Sequence, residues 1–337
     1  MAPLRWGIAS VGLISHDFVT ALATLPKEDH QVVAVAARKL EDAEKFAKKH
    51  DIEKFYEGYD ALGKDPTVDV VYIGAIVIKH FELGKMMLDY GKHVLCEKPL
   101  CVNEGQAKQL LNHAKEKKLF FMEAIWSRFF PAYIHLKKRI DSGELGDITE
   151  VEAEFGYPLA GIERCKLNAL GGGTILDLGV YTIQVSLWVF RDYPVKITAK
   201  GQLNDDGVDV AMEATLDFPK GGVARIKTSA LGLLNNKAVI RGTKGTIILH
   251  DFWSCVSLTD IDGSLVEFPL PKARYDFNFP NSCNLRYEAE ATRQHILAGK
   301  LESESIPHSE SLRIARIEDA LRRQIGVRYA EDEQFKA

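Results

Sequence analysis

The chain has 337 residues, of which 46% are hydrophobic and 27% charged, as is typical of a globular protein with two domains. Its formal net charge of −4 argues against nucleic acid or an acidic membrane as the main partner. No apolar run approaches the roughly 20 residues of a membrane helix, and the N-terminus has no signal-peptide pattern. We therefore expect a cytoplasmic protein.

Cysteine and histidine spacing gives no indication of a metal site. The five cysteines are scattered without a CxxC pair, and none of the ten histidines forms an HExxH motif. We expect buried or half-buried thiols in a reducing compartment and no bound metal.

The first third of the chain alternates strand-like and helix-like segments. We predict strands at 4–10, 31–37, 54–56, 68–74, 93–96 and 119–123, and helices at 17–25, 40–50, 59–64, 80–90 and 103–117. Strands and helices that alternate at this spacing build right-handed crossovers and a parallel sheet. The fold class is therefore α/β, with a nucleotide-binding Rossmann domain at residues 1–124.

The turn after the first strand is a degenerate dinucleotide-binding motif. It reads SVGLIS from Ser10 to Ser15, with serine in the first and third glycine positions of GxGxxG. Gly12 stands where a backbone must approach a pyrophosphate, and the helix that follows offers free N–H groups. We predict cofactor contacts at Ser10, Gly12, Leu13 and Ile14.

The end of the second strand bears on the choice between NAD and NADP. An acidic side chain in this region usually binds a free ribose 2′-hydroxyl, whereas a 2′-phosphate requires a cation. Here the strand ends with Ala36 and Ala37, then Arg38, and no carboxylate occurs before Glu41. The pattern favours NADP, although a solvated arginine after a strand is also common.

The segment GKHVLCEKPL, residues 91–100, places a charged pair at the end of a buried strand. Pro99 stops the strand after Cys96, so Lys98 lies at a carboxyl end, where ligands bind in open α/β sheets. Glu97 is a possible partner for the lysine. The alternative is a surface ion pair without a catalytic role.

The second part of the chain has a different pattern. We predict strands at 147–155, 195–203, 208–218, 222–231, 237–241, 246–250, 255–261 and 264–268. Short links between them indicate a large, mainly antiparallel sheet, covered on one face by a helix that opens near Gly173 and by helices at 286–298 and 309–325. We assign residues 125–337 to an α+β domain for substrate binding and dimerisation.

A glycine run leads into a helical segment that carries Asp177 and Tyr181. Their spacing of four places a carboxylate and a phenol on one helix face. A nearby Lys98 ammonium would favour the phenolate and make Tyr181 a better proton donor and acceptor near neutral pH. Asp177 would orient a substrate hydroxyl or the lysine. The alternative is a capping aspartate beside a buried tyrosine.

Several motifs together resemble one enzyme family. GKHVLCEKP, the degenerate glycine turn and GGGTILDLGVY resemble the glucose-fructose oxidoreductase and inositol dehydrogenase (Gfo/Idh/MocA) family. LRWGIASVGLIS, HQVVAVAAR, MEAIWSRFFP and IRGTKG are similar to its dimeric dihydrodiol dehydrogenase branch, whose members also act as NADP-dependent D-xylose 1-dehydrogenases. The resemblance runs from residue 4 to about residue 327.

The resemblance implies roles for named residues. It implies NADP at the glycine turn and Arg38, and a catalytic pair of Lys98 and Tyr181 with Asp177 beside them. It adds cofactor contacts at His80, Glu97, Lys98 and Arg128. It also suggests three aromatic residues as walls for a sugar or a diol, namely Trp126, Phe155 and Phe279. Arg128 could instead pair with Glu123, and the aromatic residues could simply be core.

One loop departs from the family pattern. Relatives usually carry a Thr-x-x-Pro-x-His type segment after the fourth strand, whereas this chain reads AIVIKH from Ala75 to His80. His80 is retained, but the proline and polar neighbours are absent. Because this loop ordinarily approaches the cofactor ribose, cofactor affinity is the property it puts in question.

The leading functional hypothesis is an NADP-dependent dehydrogenase that oxidises D-xylose at C1 or trans-dihydrodiols to catechols. The alternative is a non-catalytic NADP-binding regulator or interaction protein on the same fold. The uncovered face of the second sheet, together with the resemblance, predicts a homodimer.

Overall fold

The computed structural model describes residues 2–335. The first strands are β1 (Leu4–Ala9), β2 (His30–Ala37), β3 (Lys54–Glu57), β4 (Val70–Ile73), β5 (His93–Glu97) and β6 (Phe121–Ala124). The helices among them are α1 (Leu13–Leu22), α2 (Leu40–His50), α3 (Asp60–Lys64), α4 (His80–Asp89) and α5 (Glu104–Lys117). All six predicted strands and five predicted helices are present.

These six strands form one parallel sheet in the order β3-β2-β1-β4-β5-β6. The strand order reverses between β1 and β4, and the carboxyl ends of those two strands flank the crevice where doubly wound folds bind ligands. Every residue of β4 is buried, as expected of a strand with helices on both faces. The predicted Rossmann topology is confirmed.

The turn after β1 is tighter than predicted. Helix α1 begins at Leu13 and not near residue 17, because Ser10 adopts a left-handed backbone conformation (φ 81°) that turns the chain at once. Gly12, in an extended conformation, is the residue that precedes the helix. The helix N-terminus therefore lies directly behind the glycine.

The remaining strands are β7 (Ile148–Gly156), β8 (Lys196–Leu203), β9 (Asp209–Asp217), β10 (Val223–Ser229), β11 (Ala238–Gly242), β12 (Gly245–His250), β13 (Ser257–Thr259) and β14 (Leu265–Glu267). The remaining helices are α6 (Pro131–Asp141), α7 (Glu163–Lys166), α8 (Val180–Phe190), α9 (Leu285–Leu297), α10 (His308–Ile325) and α11 (Glu331–Gln334). A π-helical turn, Ile175–Gly179, leads into α8. Short 3₁₀ turns lie at Val77–Lys79, Trp126–Phe129, Asn168–Leu170, Pro219–Gly221, Phe252–Ser254 and Ser282–Asn284.

The eight later strands form a second sheet in the order β14-β13-β12-β11-β7-β10-β9-β8. Neighbouring strands are antiparallel except for the central pair β7 and β10, so the sheet is mainly antiparallel, as predicted. Helix α8 packs against β7, β10 and β11. On β7 the buried residues Val151, Ala153 and Phe155 alternate with Glu150, Glu152 and Glu154, so the opposite face of the sheet is charged.

By length and composition the stretch Asn168–Phe190 could cross a membrane, but 83% of the apolar 18-residue window within it is buried inside the protein. Left-handed backbone at Gly171 (φ 71°) and a positive φ of 119° at Gly173 interrupt it. A core helix of a soluble protein passes the same test. This segment is therefore a core helix, since α8 is buried against the second sheet.

The chain divides into two compact units that are not contiguous in sequence. Unit 1 contains residues 1–101, 106–126 and 270–311, and unit 2 contains residues 102–105, 127–269 and 312–337. The predicted domain boundary near residue 124 stays a prediction; the compact units divide the chain differently, since residues 270–311 belong to unit 1. That segment joins unit 1 because α9 packs on α1 and because the backbone N–H groups of Asn278 and Phe279 donate to the buried Asp17 carboxylate.

Candidate active site

The glycine turn of unit 1 is open at the point where a cofactor pyrophosphate would bind. Gly12 is exposed, and a Cβ added there would meet only the Gly74 carbonyl oxygen, at 3.8 Å. Within residues 2–335 no side chain caps α1, so its first N–H groups remain available to an anion. Leu13 is 61% exposed on the first turn. These features fit a dinucleotide diphosphate.

Two cations, Arg38 and Lys79, lie close to Tyr59, which contacts Ser10 at the start of the glycine turn. The Tyr59 phenol interacts with the Ser10 side chain and with the charges of Arg38 and Lys79. Burial raises the pKa of Tyr59, whereas the Ser10 hydrogen bond and both cations act in the opposite direction. Arg38 is exposed at the end of β2. Sequence reasoning identified Arg38 but missed Tyr59 and Lys79, whose proximity depends on the fold.

Glu97 is directed into the protein interior. Its carboxylate accepts a hydrogen bond from the Tyr72 hydroxyl at 2.6 Å and one from the Lys98 backbone N–H at 3.2 Å, and the residue is 7% exposed. The predicted cofactor contact of Glu97 stays a prediction, and its side chain is part of the core behind β5. Lys98 itself is partly exposed at the carboxyl end of that strand.

His80 is likewise buried, at 1% exposure. Its Nδ1 lies 2.9 Å from the Pro99 carbonyl oxygen and its Nε2 lies 2.9 Å from the Ala75 carbonyl oxygen. Both ring nitrogens thus contact backbone of this chain, so His80 acts by holding the atypical Ala75–Lys79 loop against the turn that follows Lys98. The predicted cofactor contact of His80 stays a prediction.

Asp177 and Tyr181 lie one turn apart in unit 2, as the spacing predicted. Asp177 is in the π-helical turn and Tyr181 in the first turn of α8, and π-turns recur at functional sites. The start of this segment is anchored by buried Asp209, which accepts hydrogen bonds from the Thr174 hydroxyl (2.6 Å) and the Ile175 N–H (2.8 Å). Burial raises the pKa of Asp209.

The Asp177 carboxylate has two neighbours from helix α7. Arg164 Nη1 lies 3.1 Å from Oδ1, and the Cys165 thiol donates to Oδ2 at 3.4 Å. The negative charge of Asp177 is the main reason that the pKa of Arg164 is raised. Neither residue was predicted, because the twelve or thirteen residues that separate them from Asp177 follow no periodic pattern.

Aromatic rings surround Tyr181. Phe155 meets it edge-on with ring centroids 5.4 Å apart and stacks on Trp253 at 5.2 Å, and Tyr157 approaches both of those rings. Phe155 was predicted, and its place beside Tyr181 supports a role in lining the site. Trp253 was missed, since its segment gave no chemical signal.

The remaining predicted site residues lie in different surroundings. Arg128 is 3% exposed, donates to the Gln184 side chain at 2.7 Å and stacks over Trp188, both in α8, and its predicted cofactor contact stays a prediction. Trp126 is buried at the end of the second segment of unit 1, and Phe279 is half-buried in the same unit. Among residues 2–335, no three His, Cys, Asp or Glu side chains form a metal-binding group.

Comparison with known proteins agrees with this architecture. Residues 4–125 match the oxidoreductase family with an NAD-binding Rossmann fold, and residues 133–248 match the GFO/IDH/MocA C-terminal domain. The trans-1,2-dihydrobenzene-1,2-diol dehydrogenase of Danio rerio is 44% identical over 332 residues, 98% of this chain and 99% of that protein. The protein of the same name from Homo sapiens is 42% identical over 333 residues, again 98% and 99% of the two chains.

Solved structures show the same fold. A 3-ketoreductase from Actinomadura kijaniata in complex with NADP and TDP-benzene superposes with a TM-score of 0.81 at 26% identity, over 96% of this chain and 98% of that one. Levoglucosan dehydrogenase in complex with NADH and levoglucosan has a TM-score of 0.81 at 19% identity, over 96% and 97% of the two chains. With the family matches and full-length relatives above 40% identity, the chain belongs to the GFO/IDH/MocA family of NAD(P)-dependent oxidoreductases.

Proposed function

We propose that this dehydrogenase uses NADP to oxidise trans-1,2-dihydrobenzene-1,2-diols to catechols, and D-xylose and related pyranoses at C1. The observation that carries the proposal is the position of Tyr181 beside the stacked rings of Phe155 and Trp253, with Asp177 one turn before it. Aromatic faces suit both a cyclic diol and the C–H face of a sugar. The names of the full-length relatives support the diol as substrate, and the family resemblance supports the sugar.

The preference for NADP is supported by the charges at the end of β2. Arg38 and Lys79 both interact with the Tyr59 phenol beside Ser10, and β2 ends without a carboxylate. A pair of cations favours a ribose 2′-phosphate over a free hydroxyl. NADP+, when bound, accepts the hydride from the substrate carbon.

We assign proton transfer to Tyr181. As the C–H bond of the substrate gives up its electron pair, the adjacent hydroxyl loses its proton to the Tyr181 oxygen. Lys98 would stabilise the ionised phenol, and Asp177 would accept a hydrogen bond from a neighbouring substrate hydroxyl. The 3-ketoreductase from A. kijaniata has also been solved with NADP as a lysine-to-alanine and as a tyrosine-to-phenylalanine variant, which is consistent with such a pair.

The assignment has a direct spectroscopic test. Wild-type protein mixed with NADP+ and either D-xylose or trans-1,2-dihydrobenzene-1,2-diol should produce the absorbance of reduced nicotinamide. Tyr181→Phe should lower turnover by roughly 10²–10⁴-fold while NADP+ still binds. Tyr157→Phe is the matched control, because that phenol belongs to the same aromatic cluster without a proposed proton-transfer role. Near-normal turnover in Tyr181→Phe would refute the role of Tyr181.

We also propose that the protein is a cytoplasmic homodimer formed through the charged face of the second sheet. A groove of about 710 Å³ on this face is lined by acidic and basic residues of β7 to β11. Glu213 pairs there with Lys200 at 3.0 Å and with Lys227 at 3.2 Å. A surface with both signs of charge is able to complement a second copy of itself around a two-fold axis.

A further inference from the structure

The glycine run before Asp177 holds helix α7 directly against the segment that carries the carboxylate. The Gly173 N–H donates to the Cys165 carbonyl at 2.9 Å, and the Gly172 N–H donates to the Leu167 carbonyl at 3.0 Å. A Cβ at Gly172 would lie 2.7 Å from the Cys165 carbonyl oxygen, which is too close for any side chain. Glycine is therefore required there for α7 to approach.

This packing brings two consecutive residues of α7 to the two oxygens of one carboxylate. Arg164 binds Oδ1 and Cys165 donates to Oδ2. A carboxylate oxygen can accept more than one hydrogen bond, so the contacts with Arg164 and Cys165 do not by themselves prevent a ligand hydroxyl from donating to Asp177. The Arg164 guanidinium also interacts electrostatically with the Tyr181 phenol. The Arg164 cation thus interacts with both Asp177 and Tyr181, the two groups to which the reaction is assigned.

We propose that Arg164 is a positioning residue that fixes the Asp177 carboxylate to receive the hydroxyl next to the reacting carbon, and so selects vicinal diols as the substrate class. This inference rests on the proposed function. Both proposed substrates carry two adjacent hydroxyls, of which one is oxidised at Tyr181 and the other is bound at Asp177. The charge of Arg164 favours the Tyr181 phenolate.

The Arg164→Gln variant removes the charge and keeps a polar side chain of similar reach. We expect kcat/KM for D-xylose to fall about tenfold or more, because a charge-assisted hydrogen bond is lost and Asp177 is free to rotate. The ratio of kcat/KM for D-xylose to kcat/KM for 2-deoxy-D-xylose, which lacks the adjacent hydroxyl, should fall by a similar factor. The KM for NADP+ should stay within about twofold, since only substrate contacts change.

A shift in the pH profile would separate an electrostatic role from a structural one. The titratable and charged groups facing the site within unit 2 are Arg164, Cys165, Asp177 and Tyr181, with Tyr157 across the aromatic wall. Loss of a cation disfavours the Tyr181 phenolate. The pH at which kcat/KM rises to half its maximum should therefore move upward in Arg164→Gln. Arg164→Lys should restore most of the activity and the original midpoint.

Arg191→Gln is the matched control. Its guanidinium is as exposed as that of Arg164, at 45%, and it also pairs with an aspartate, Asp141, elsewhere in unit 2. We expect Arg191→Gln to behave as wild type. If wild type is active and Arg164→Gln behaves like Arg191→Gln, the inference alone is overturned. The same holds if Arg164→Gln loses activity but keeps the wild-type substrate preference and pH midpoint. A wild type inactive on both proposed substrates would overturn the proposed function, and this inference with it.

Discussion

Glu288 gives the sharpest test of the interior of unit 1. It lies in α9 with no exposed surface, and neither carboxyl oxygen has a hydrogen-bond partner among residues 2–335. Burial, with a smaller contribution from the nearby Glu97 carboxylate, raises the pKa of Glu288 well above its usual 4.5. The folded protein therefore holds the Glu288 proton to higher pH than the unfolded chain does.

This difference makes stability dependent on pH with a defined sign. Between the ordinary pKa and the raised folded one, the folded state binds one more proton than the unfolded state, so the free energy of unfolding falls as pH rises. Within that interval the slope is about 1.4 kcal/mol per pH unit. Glu288→Gln has nearly the same shape and no proton to release, so it should lose this contribution to the slope.

Urea unfolding at pH 6, 7 and 8, followed by circular dichroism, measures the effect. The stability of Glu288→Gln relative to wild type should increase with each step in pH. Glu290→Gln is a control on the same helix: burial opposes ionisation of Glu290, but hydrogen bonds from Arg293, Gln294 and His30 lower its pKa to about 2. Because Glu290 is ionised in both states over this range, its own carboxyl adds no slope, and its variant should differ from wild type only through its partner His30. A parallel Glu288→Gln curve would refute the reasoning.

Three further predictions test other parts of the structure. Arg38→Ala should weaken NADP+ binding, measured by titration, far more than NAD+ binding, and equal weakening would argue against a 2′-phosphate contact. Gly173→Ala should lower stability by about 2 kcal/mol in urea unfolding, since φ is 119° and the added Cβ collides with the Asp209 carboxylate. Gly207→Ala, with φ 76° and open space around it, should cost about 1 kcal/mol, and equal costs would contradict the collision. Glu213→Lys should give monomers in sedimentation if the charged face forms the dimer, and an unchanged dimer would exclude that surface.

The amino-acid sequence by itself determined the features that depend on near neighbours. Alternating runs of apolar and polar residues specified the six parallel strands and the eight strands of the second sheet, because strand and helix periods are local properties. The glycine turn at Gly12 and the helical spacing of Asp177 and Tyr181 could likewise be predicted from the sequence. The helix start at Leu13 was missed because it depends on the left-handed conformation of Ser10, which serine seldom adopts.

Only the tertiary structure decided which distant side chains meet. It turned Glu97 toward Tyr72, engaged His80 with backbone carbonyls and joined Arg128 to Gln184, although the motifs around all three predicted ligand contacts. It also brought Trp253 to Phe155 and Arg164 to Asp177. Such contacts join elements that are far apart in sequence, and their partners are chosen by packing and by the need to satisfy buried polar groups, which leave no periodic trace in the chain.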